Sequence, residues 1–325
     1  VTHAIVLHAY GGPEALRWEP HDPGAPGPGE ALVRHEAVGL NYIDVYHRTG
    51  LYPLAKLPAV PGLEAAGVVE AVGDGVDEVR VGDRVAYAGI PPGAYAEARR
   101  IPAHRLVPLP EGLSTRQAAA AMLQGMTARY LLHGCYPVGP GDWILIHAAA
   151  GGVGLIVCQW AKAKGARVVG TVGSEEKARL ARDHGCDHTV LYEREAFPDR
   201  VREITGGRGV DVVYDSVGRA TFTGSMDCLR PMGMLVSFGQ ASGPVPPLDI
   251  GQLAAKGSLF LTRPSLMTYT ARREDLLAHA ADLFTVLERG EVRIEIRQTY
   301  PLKDAARAHR DLETRKTTGT TIFEV

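Results

Sequence analysis

The run Trp143-Ile144-Leu145-Ile146-His147 passes at once into Ala148-Ala149-Ala150-Gly151-Gly152-Val153-Gly154 and then into a mostly apolar stretch ending near Ala161. A β-like run that turns through glycines into a helix leaves few folds open. The spacing Ala149-x-Gly151-x-x-Gly154 assigns each glycine a task. Gly151 lets backbone approach a pyrophosphate, and Gly154 lets the helix pack close to the strand. The unpaired N–H groups of the first helical turn, at Gly152, Val153 and Gly154, face the negative charge.

The rest of this half keeps the same rhythm. Strands are expected at 143–147, 167–171, 189–191, 210–215, 234–238 and 258–262, with helices at 153–164, 175–184, 196–205 and 220–229 between them. Alternation of this kind predicts an α/β fold with a doubly wound, six-stranded parallel sheet. The second strand discriminates between cofactors, because an acidic residue at its end takes the ribose 2′-hydroxyl of NAD. Here that end reads Thr171-Val172-Gly173-Ser174, with Lys177 one helical turn on. Gly173 and Ser174 leave room for a 2′-phosphate and Lys177 supplies charge, so NADPH is the expected cofactor. Against this, Glu175 and Glu176 intervene, and a lysine on such a helix also reads as a solvated surface charge.

Residues 1 to about 124 are β-rich, with short strands punctuated by Gly and Pro. Ser114-Thr115-Arg116-Gln117 has the spacing of a capping box and opens an Ala-rich helix, which Gly125 is expected to break before a second helical stretch at 128–132. The expected division is therefore 1–124 together with the tail 265–325 as one domain, and 125–264 as the dinucleotide-binding domain. At 325 residues, two cores are the natural expectation. A net charge of −2 with no basic block argues against nucleic acid and membrane surfaces as partners. Four scattered cysteines without a CxxC pair read as structural thiols in a reducing compartment, and neither a basic-then-apolar N-terminal run nor 18 uninterrupted apolar residues occur. A cytoplasmic protein is expected.

Longer motifs surround this frame: Asn41 through Pro53, Pro61-Gly62-Leu63-Glu64-Ala65-Ala66-Gly67, His147 through Gly154, Tyr214-Asp215-Ser216-Val217-Gly218, Val236 through Gly239, Thr262 through Leu266 and Tyr300 through Ala305. Through them the whole chain resembles the medium-chain dehydrogenase/reductase superfamily, and within it the zinc-free quinone oxidoreductases related to zeta-crystallin. The resemblance implies a β-rich, GroES-like domain beside the dinucleotide-binding one, and a homodimer joined through apolar edge strands around 233–242 and 258–261. In the zinc-dependent members, metal ligands stand where this chain has Asn41, Leu63 and about Leu123, so no metal is expected. Glu64 survives from the ligand motif and reads as structural. The resemblance further implies cofactor contacts at Asn41, Tyr46, Tyr130, Tyr192, Val217, Phe238, Gly239, Arg263, Pro264 and Arg315, the last of which reads equally as exposed charge.

Without a metal to polarise an alcohol, reduction of an electron-poor acceptor is the expected reaction, and a quinone is the expected substrate. Asn41, Tyr46 and Tyr52 are the candidate catalytic residues, on a segment that the resemblance places at the mouth of the interdomain cleft. Tyr46 reads equally as a proton donor or as an aromatic wall. His47, with no triad partner beside it, reads as a surface or satisfied histidine. An alkenal or enone reductase is the alternative enzyme. A nucleotide-binding crystallin-like or RNA-binding protein is the alternative from another class.

Overall fold

The computed structural model describes residues 2–325, and the chain divides into two compact units. The first comprises Val1–Met126, Tyr269–Phe284 and Ile294–Val325; the second comprises Thr127–Thr268 and Thr285–Arg293. The tail expected to join the first domain as a block is thus shared, since Thr285–Arg293 belongs to the second unit. Its tie there is Gln159, whose side chain donates to the Arg293 carbonyl and accepts from the Arg293 N–H.

The second unit is the α/β part. Its six strands lie in the order His188–Leu191, Arg167–Val172, Trp143–Ile146, Val210–Asp215, Leu229–Ser237 and Phe260–Thr262, and every neighbouring pair is parallel. Val and Ile dominate these strands because both sheet faces are covered, which removes the need for a polar side. Leu145, Val169, Val190, Val213 and Leu235 are fully buried in one core with Phe222 and Met226. The fifth strand begins at Leu229, earlier than the expected 234, because pairing resumes across an irregularity: Val210 faces Leu229, whereas Val212 faces Met234.

The first unit is built on a seven-stranded sheet. Its central strand, Glu30–Leu40, pairs antiparallel with Glu64–Val72, with Ala98–Pro102 and with Thr320–Glu324. The last of these was not foreseen from the sequence. It seats Phe323 opposite Val38 and thereby carries the C-terminal segment into the core of Ile5, Val33, Tyr87, Tyr95 and Ile101.

Ser114 caps a helix as expected, but that helix covers only Thr115–Ala119. A second helix runs Met122–Arg129 straight through Gly125, so the expected break lies at Ala120–Ala121 instead. Gly125 is there for space: a Cβ would stand 2.4 Å from Leu283 Cδ1. Tyr130–Cys135 then forms a π-helical turn, a geometry that no local sequence signal announces. No helix among the described residues is long and apolar enough to cross a membrane.

Candidate dinucleotide and substrate site

Because all six strands of the second unit are parallel, their carboxyl ends share one edge of the sheet, where ligands of such sheets bind. The candidate dinucleotide residues collect there. Gly151–Gly154 follow the strand Trp143–Ile146, and Gly173 and Ser174 follow Arg167–Val172. Tyr192 follows His188–Leu191, Val217 follows Val210–Asp215, Phe238 and Gly239 follow Leu229–Ser237, and Arg263 and Pro264 follow Phe260–Thr262. Every strand contributes to the edge.

Local geometry fits a bound dinucleotide. Ala148 sits at φ 54°, a left-handed conformation costly for a residue with a side chain, and its carbonyl accepts the Gly151 N–H at 2.9 Å. Gly151 caps the helix Gly152–Ala163, whose first N–H groups have no partner within the helix. A Cβ on Gly154 would come within 2.4 Å of the Ala148 carbonyl and 2.7 Å of the Ala149 carbonyl. Only glycine lets the helix start this close to the turn. A Cβ on Gly173 would meet the Tyr192 hydroxyl at 2.9 Å, and one on Gly239 would meet the Ser216 carbonyl at 2.5 Å. Glycines thus clear the edge wherever a neighbouring loop crosses.

A hollow of about 320 Å³ opens beside this edge, lined by Gly173, Ser174, Glu175, Glu176, Leu191, Glu193 and Arg194. Ser174 caps the helix Glu175–Asp183 by accepting the Lys177 N–H, so its hydroxyl already has one task. Lys177 is half-buried and does not line the hollow. Arg194, which the sequence did not single out, does line it and pairs with Glu175 at 3.8 Å.

Asp215, quoted only within a motif, organises the loop around Val217. Its Oδ1 accepts the Val217 and Gly218 N–H groups, and its Oδ2 accepts from Ser225 Oγ, which lies 2.9 Å from His147 Nε2. The other ring nitrogen of His147 lies 2.8 Å from Thr171 Oγ1. Burial lowers the pKa of His147, against the neighbouring Asp215 charge that raises it. One buried network therefore ties the glycine turn's strand to the strand that ends at Gly173. Arg263 donates to the Ser237 carbonyl at 2.7 Å, which anchors the last strand end beside Phe238. Tyr130 is buried in the π-helical turn, where the next carbonyl, Leu131, accepts from the Tyr214 hydroxyl.

Asn41, Tyr46, Tyr52 and Arg315 belong to the first unit. Asn41 caps the helix Tyr42–Thr49 and is 5% exposed. Its Nδ2 donates to Glu64 Oε2 at 2.7 Å, the Leu123 N–H donates to Glu64 Oε1 at 2.7 Å, and Gln124 Nε2 donates to Asn41 Oδ1. Asn41 and Leu123, two of the three positions at which the resemblance implies metal ligands in the zinc-dependent members, therefore meet around one carboxyl group, the first through its side-chain amide and the second through its backbone N–H. Among the described residues no group of three or more His, Cys, Asp or Glu side chains could hold a metal. Burial pushes the Glu64 pKa up to about 8, against the hydrogen bonds from Asn41 and Leu123 that favour the charged form.

Tyr46 is 8% exposed and stacks edge-on between Tyr42 and Tyr52, with ring centres 5.5 and 5.0 Å away. The three rings pack as one aromatic cluster. His47, read from the sequence as a surface or satisfied histidine, is buried, with Nδ1 lacking a hydrogen bond, and burial lowers its pKa. The helix is held by Asp44, whose Oδ2 accepts from the Asn41 N–H and the Tyr95 hydroxyl. Arg48, almost fully buried, pairs with both oxygens of Glu313 at 2.8 Å. Arg315 follows Thr314, the C-cap of the helix Ala305–Glu313, at φ 60°, where glycine is the unstrained choice.

A parallel dinucleotide-type sheet and a β-rich unit carried in one chain define a nucleotide-dependent oxidoreductase. The families described as "Alcohol dehydrogenase GroES-like domain" and "Zinc-binding dehydrogenase" match residues 27–111 and 152–282 respectively. A quinone oxidoreductase of Pseudomonas aeruginosa is 54% identical over 98% of both chains, and a 2-haloacrylate reductase of a Burkholderia species is 46% identical over 98% of both. The crystal structure of Escherichia coli quinone oxidoreductase complexed with NADPH superposes with a TM-score of 0.98 at 46% identity, covering 99% of this chain and 100% of that one. The chain belongs to the zinc-free quinone oxidoreductase branch of the medium-chain dehydrogenase/reductase superfamily.

Proposed function

We propose that this protein is an NADPH-dependent quinone reductase. The observation that carries the reading is the shared carboxyl edge of six parallel strands, each followed by a residue that we assign to the dinucleotide. Relatives support the cofactor, since the quinone oxidoreductase of Escherichia coli was crystallised with NADPH. Bound there, NADPH supplies a hydride from nicotinamide C4, and with one proton from solvent a quinone becomes a hydroquinone.

The chain's own tasks are to bind, orient and exclude water. Gly151, Gly152, Val153 and Gly154 take the pyrophosphate. Gly173, Ser174, Lys177, Tyr192 and Arg315 hold the 2′-phosphate and adenine side. Tyr130, Val217, Phe238, Gly239, Arg263 and Pro264 hold the rest of the cofactor. Asn41, Tyr46 and Tyr52 face the acceptor, with an Asn41 N–H as donor to an oxygen and the tyrosines as wall. No side chain need act as a strong acid, because the developing oxyanion of a quinone is delocalised over the ring. Exposed Phe260 and Leu261 on the edge strand, with exposed Met232 on the neighbouring strand, support a homodimer formed by a second copy of this sheet.

The second reading, reduction of an activated alkene, is favoured by one finding, the similarity to a 2-haloacrylate reductase. That reaction needs a proton delivered to carbon. Turnover of NADPH with 1,4-benzoquinone against 2-alkenals and 2-haloacrylates separates the two, and activity confined to alkenes overturns the quinone reading. A binding protein without catalysis would hold NADPH tightly yet oxidise it with neither class.

A further inference from the structure

The amide of Asn41 lies inside a chain of buried hydrogen bonds that runs in one direction. The Thr320 hydroxyl donates to Gln124 Oε1 at 2.7 Å, Gln124 Nε2 donates to Asn41 Oδ1 at 3.2 Å, and Asn41 Nδ2 donates to Glu64 Oε2 at 2.7 Å. The other carboxyl oxygen of Glu64 takes the Leu123 N–H, a donor that cannot reverse. All four side chains are more than nine-tenths buried, and all belong to the first unit. With Glu64 ionised, a flip of the Asn41 amide would set N–H against N–H at Gln124 and oxygen against oxygen at Glu64. The Asn41 side chain also faces the Asp44 N–H in a capping box, so one N–H of Asn41 remains for a ligand, and the chain decides on which side it stands.

We propose that Glu64, Gln124 and Thr320 are positioning residues that fix the polarity of the Asn41 amide, so that its spare N–H meets an oxygen of the acceptor. The inference rests on the reading of Asn41 as a substrate-facing donor. Nothing in the sequence marks this set, because its members lie 23, 83 and 196 positions apart in pairs.

The chain suggests its own test. The double substitution Glu64→Gln with Gln124→Glu keeps composition, charge and every hydrogen bond, but reverses the two that the Asn41 amide makes. The amide introduced at position 64 accepts from the Leu123 N–H and donates to Asn41 Oδ1, while Asn41 Nδ2 and the Thr320 hydroxyl donate to the carboxylate introduced at position 124. Measured at about pH 9, above the range in which Glu64 holds its proton, Glu64→Gln alone is expected to lower both Tm and kcat. The double variant is expected to recover Tm and to keep its NADPH Kd within about twofold of wild type, yet leave kcat about tenfold or more down, the loss expected for one misdirected donor. Recovery of kcat together with Tm overturns the proposal, since a merely structural role restores both. Should the double variant not fold, Thr320→Val frees the Gln124 amide to turn. A kcat loss of about threefold at unchanged KM then supports the proposal, and wild-type kcat overturns it. Wild-type protein runs alongside with 1,4-benzoquinone and a 2-alkenal. Silence with the quinone defeats the quinone reading alone, and the same comparison is then scored on the alkenal.

Discussion

Replacing Gly154 by alanine adds one carbon at the most confined point of the glycine turn. Built on the backbone, that Cβ lies 2.4 Å from the Ala148 carbonyl oxygen and 2.7 Å from that of Ala149, both main-chain atoms with no side chain to swing aside. Normal contact is about 3.5 Å, so helix and turn must part by about 1 Å. Overpacking of this kind costs about 1–3 kcal/mol of stability. The same displacement withdraws the first N–H groups of the helix from a pyrophosphate, and losing one hydrogen bond to a charged group costs about 1.5–3 kcal/mol. That corresponds to a Kd for NADPH raised by about 10- to 100-fold. Fluorescence titration of NADPH reads the affinity, and thermal denaturation of the unliganded variant reads the stability separately. A variant that folds and binds NADPH within about threefold of wild type refutes the assignment of this turn to the pyrophosphate.

Three further outcomes are expected. Arg315→Gly relieves the left-handed strain at φ 60° and should raise stability by about 1 kcal/mol in urea denaturation while weakening NADPH more than NADH; equal weakening of both removes Arg315 from the 2′-phosphate. Lys177→Ala should raise KM for NADPH several-fold with little change for NADH, measured as paired kcat/KM values, and an unchanged ratio assigns Lys177 to the solvated surface. Glu64 should make stability fall as pH rises, because its pKa of about 8 in the fold exceeds the ordinary 4.5. Between those values the native state keeps a proton that the unfolded state releases, giving a slope of about −1.4 kcal/mol per pH unit that vanishes above about 8. Buried Asp44, raised to about 7, adds a slope of the same sign. Urea denaturation across this range should therefore show a shallower slope in Glu64→Gln, and an identical slope contradicts a buried neutral carboxyl at this position.

The sheet of the second unit was legible because its signals are local. A glycine turn sits directly between a strand and a helix, and the strand ends that hold Gly173, Tyr192 and Phe238 follow from counting the alternation. Gly125 misled because a glycine inside a helix reads as a break, whereas here it makes room for Leu283, over 150 positions away. The strand Thr320–Glu324 stayed hidden because its partner is Glu30–Leu40 at the other end of the chain. Long-range pairing also concealed the environment of the candidate catalytic residues. Asn41 could be named from its motif, but its partners Glu64 and Gln124, and Thr320 behind Gln124, come from separate strands and helices. His47 reads as a surface or satisfied histidine because nothing beside it in sequence marks its environment, and the burial of its helix with Val45, Tyr46 and the Arg48–Glu313 ion pair depends on residues far along the chain. Arg194 went unnoticed because a lone exposed arginine carries no pattern, and only the hollow beside Gly173 and Ser174 gives it a context.

The central claim is that this chain passes reducing equivalents from NADPH to quinones, and steady-state oxidation of NADPH in the presence of 1,4-benzoquinone tests it most directly. The account predicts rapid turnover, a higher kcat/KM with NADPH than with NADH, and a marked loss on Gly154→Ala. Tight NADPH binding without turnover on any quinone, or turnover confined to alkenals and haloacrylates, would contradict it.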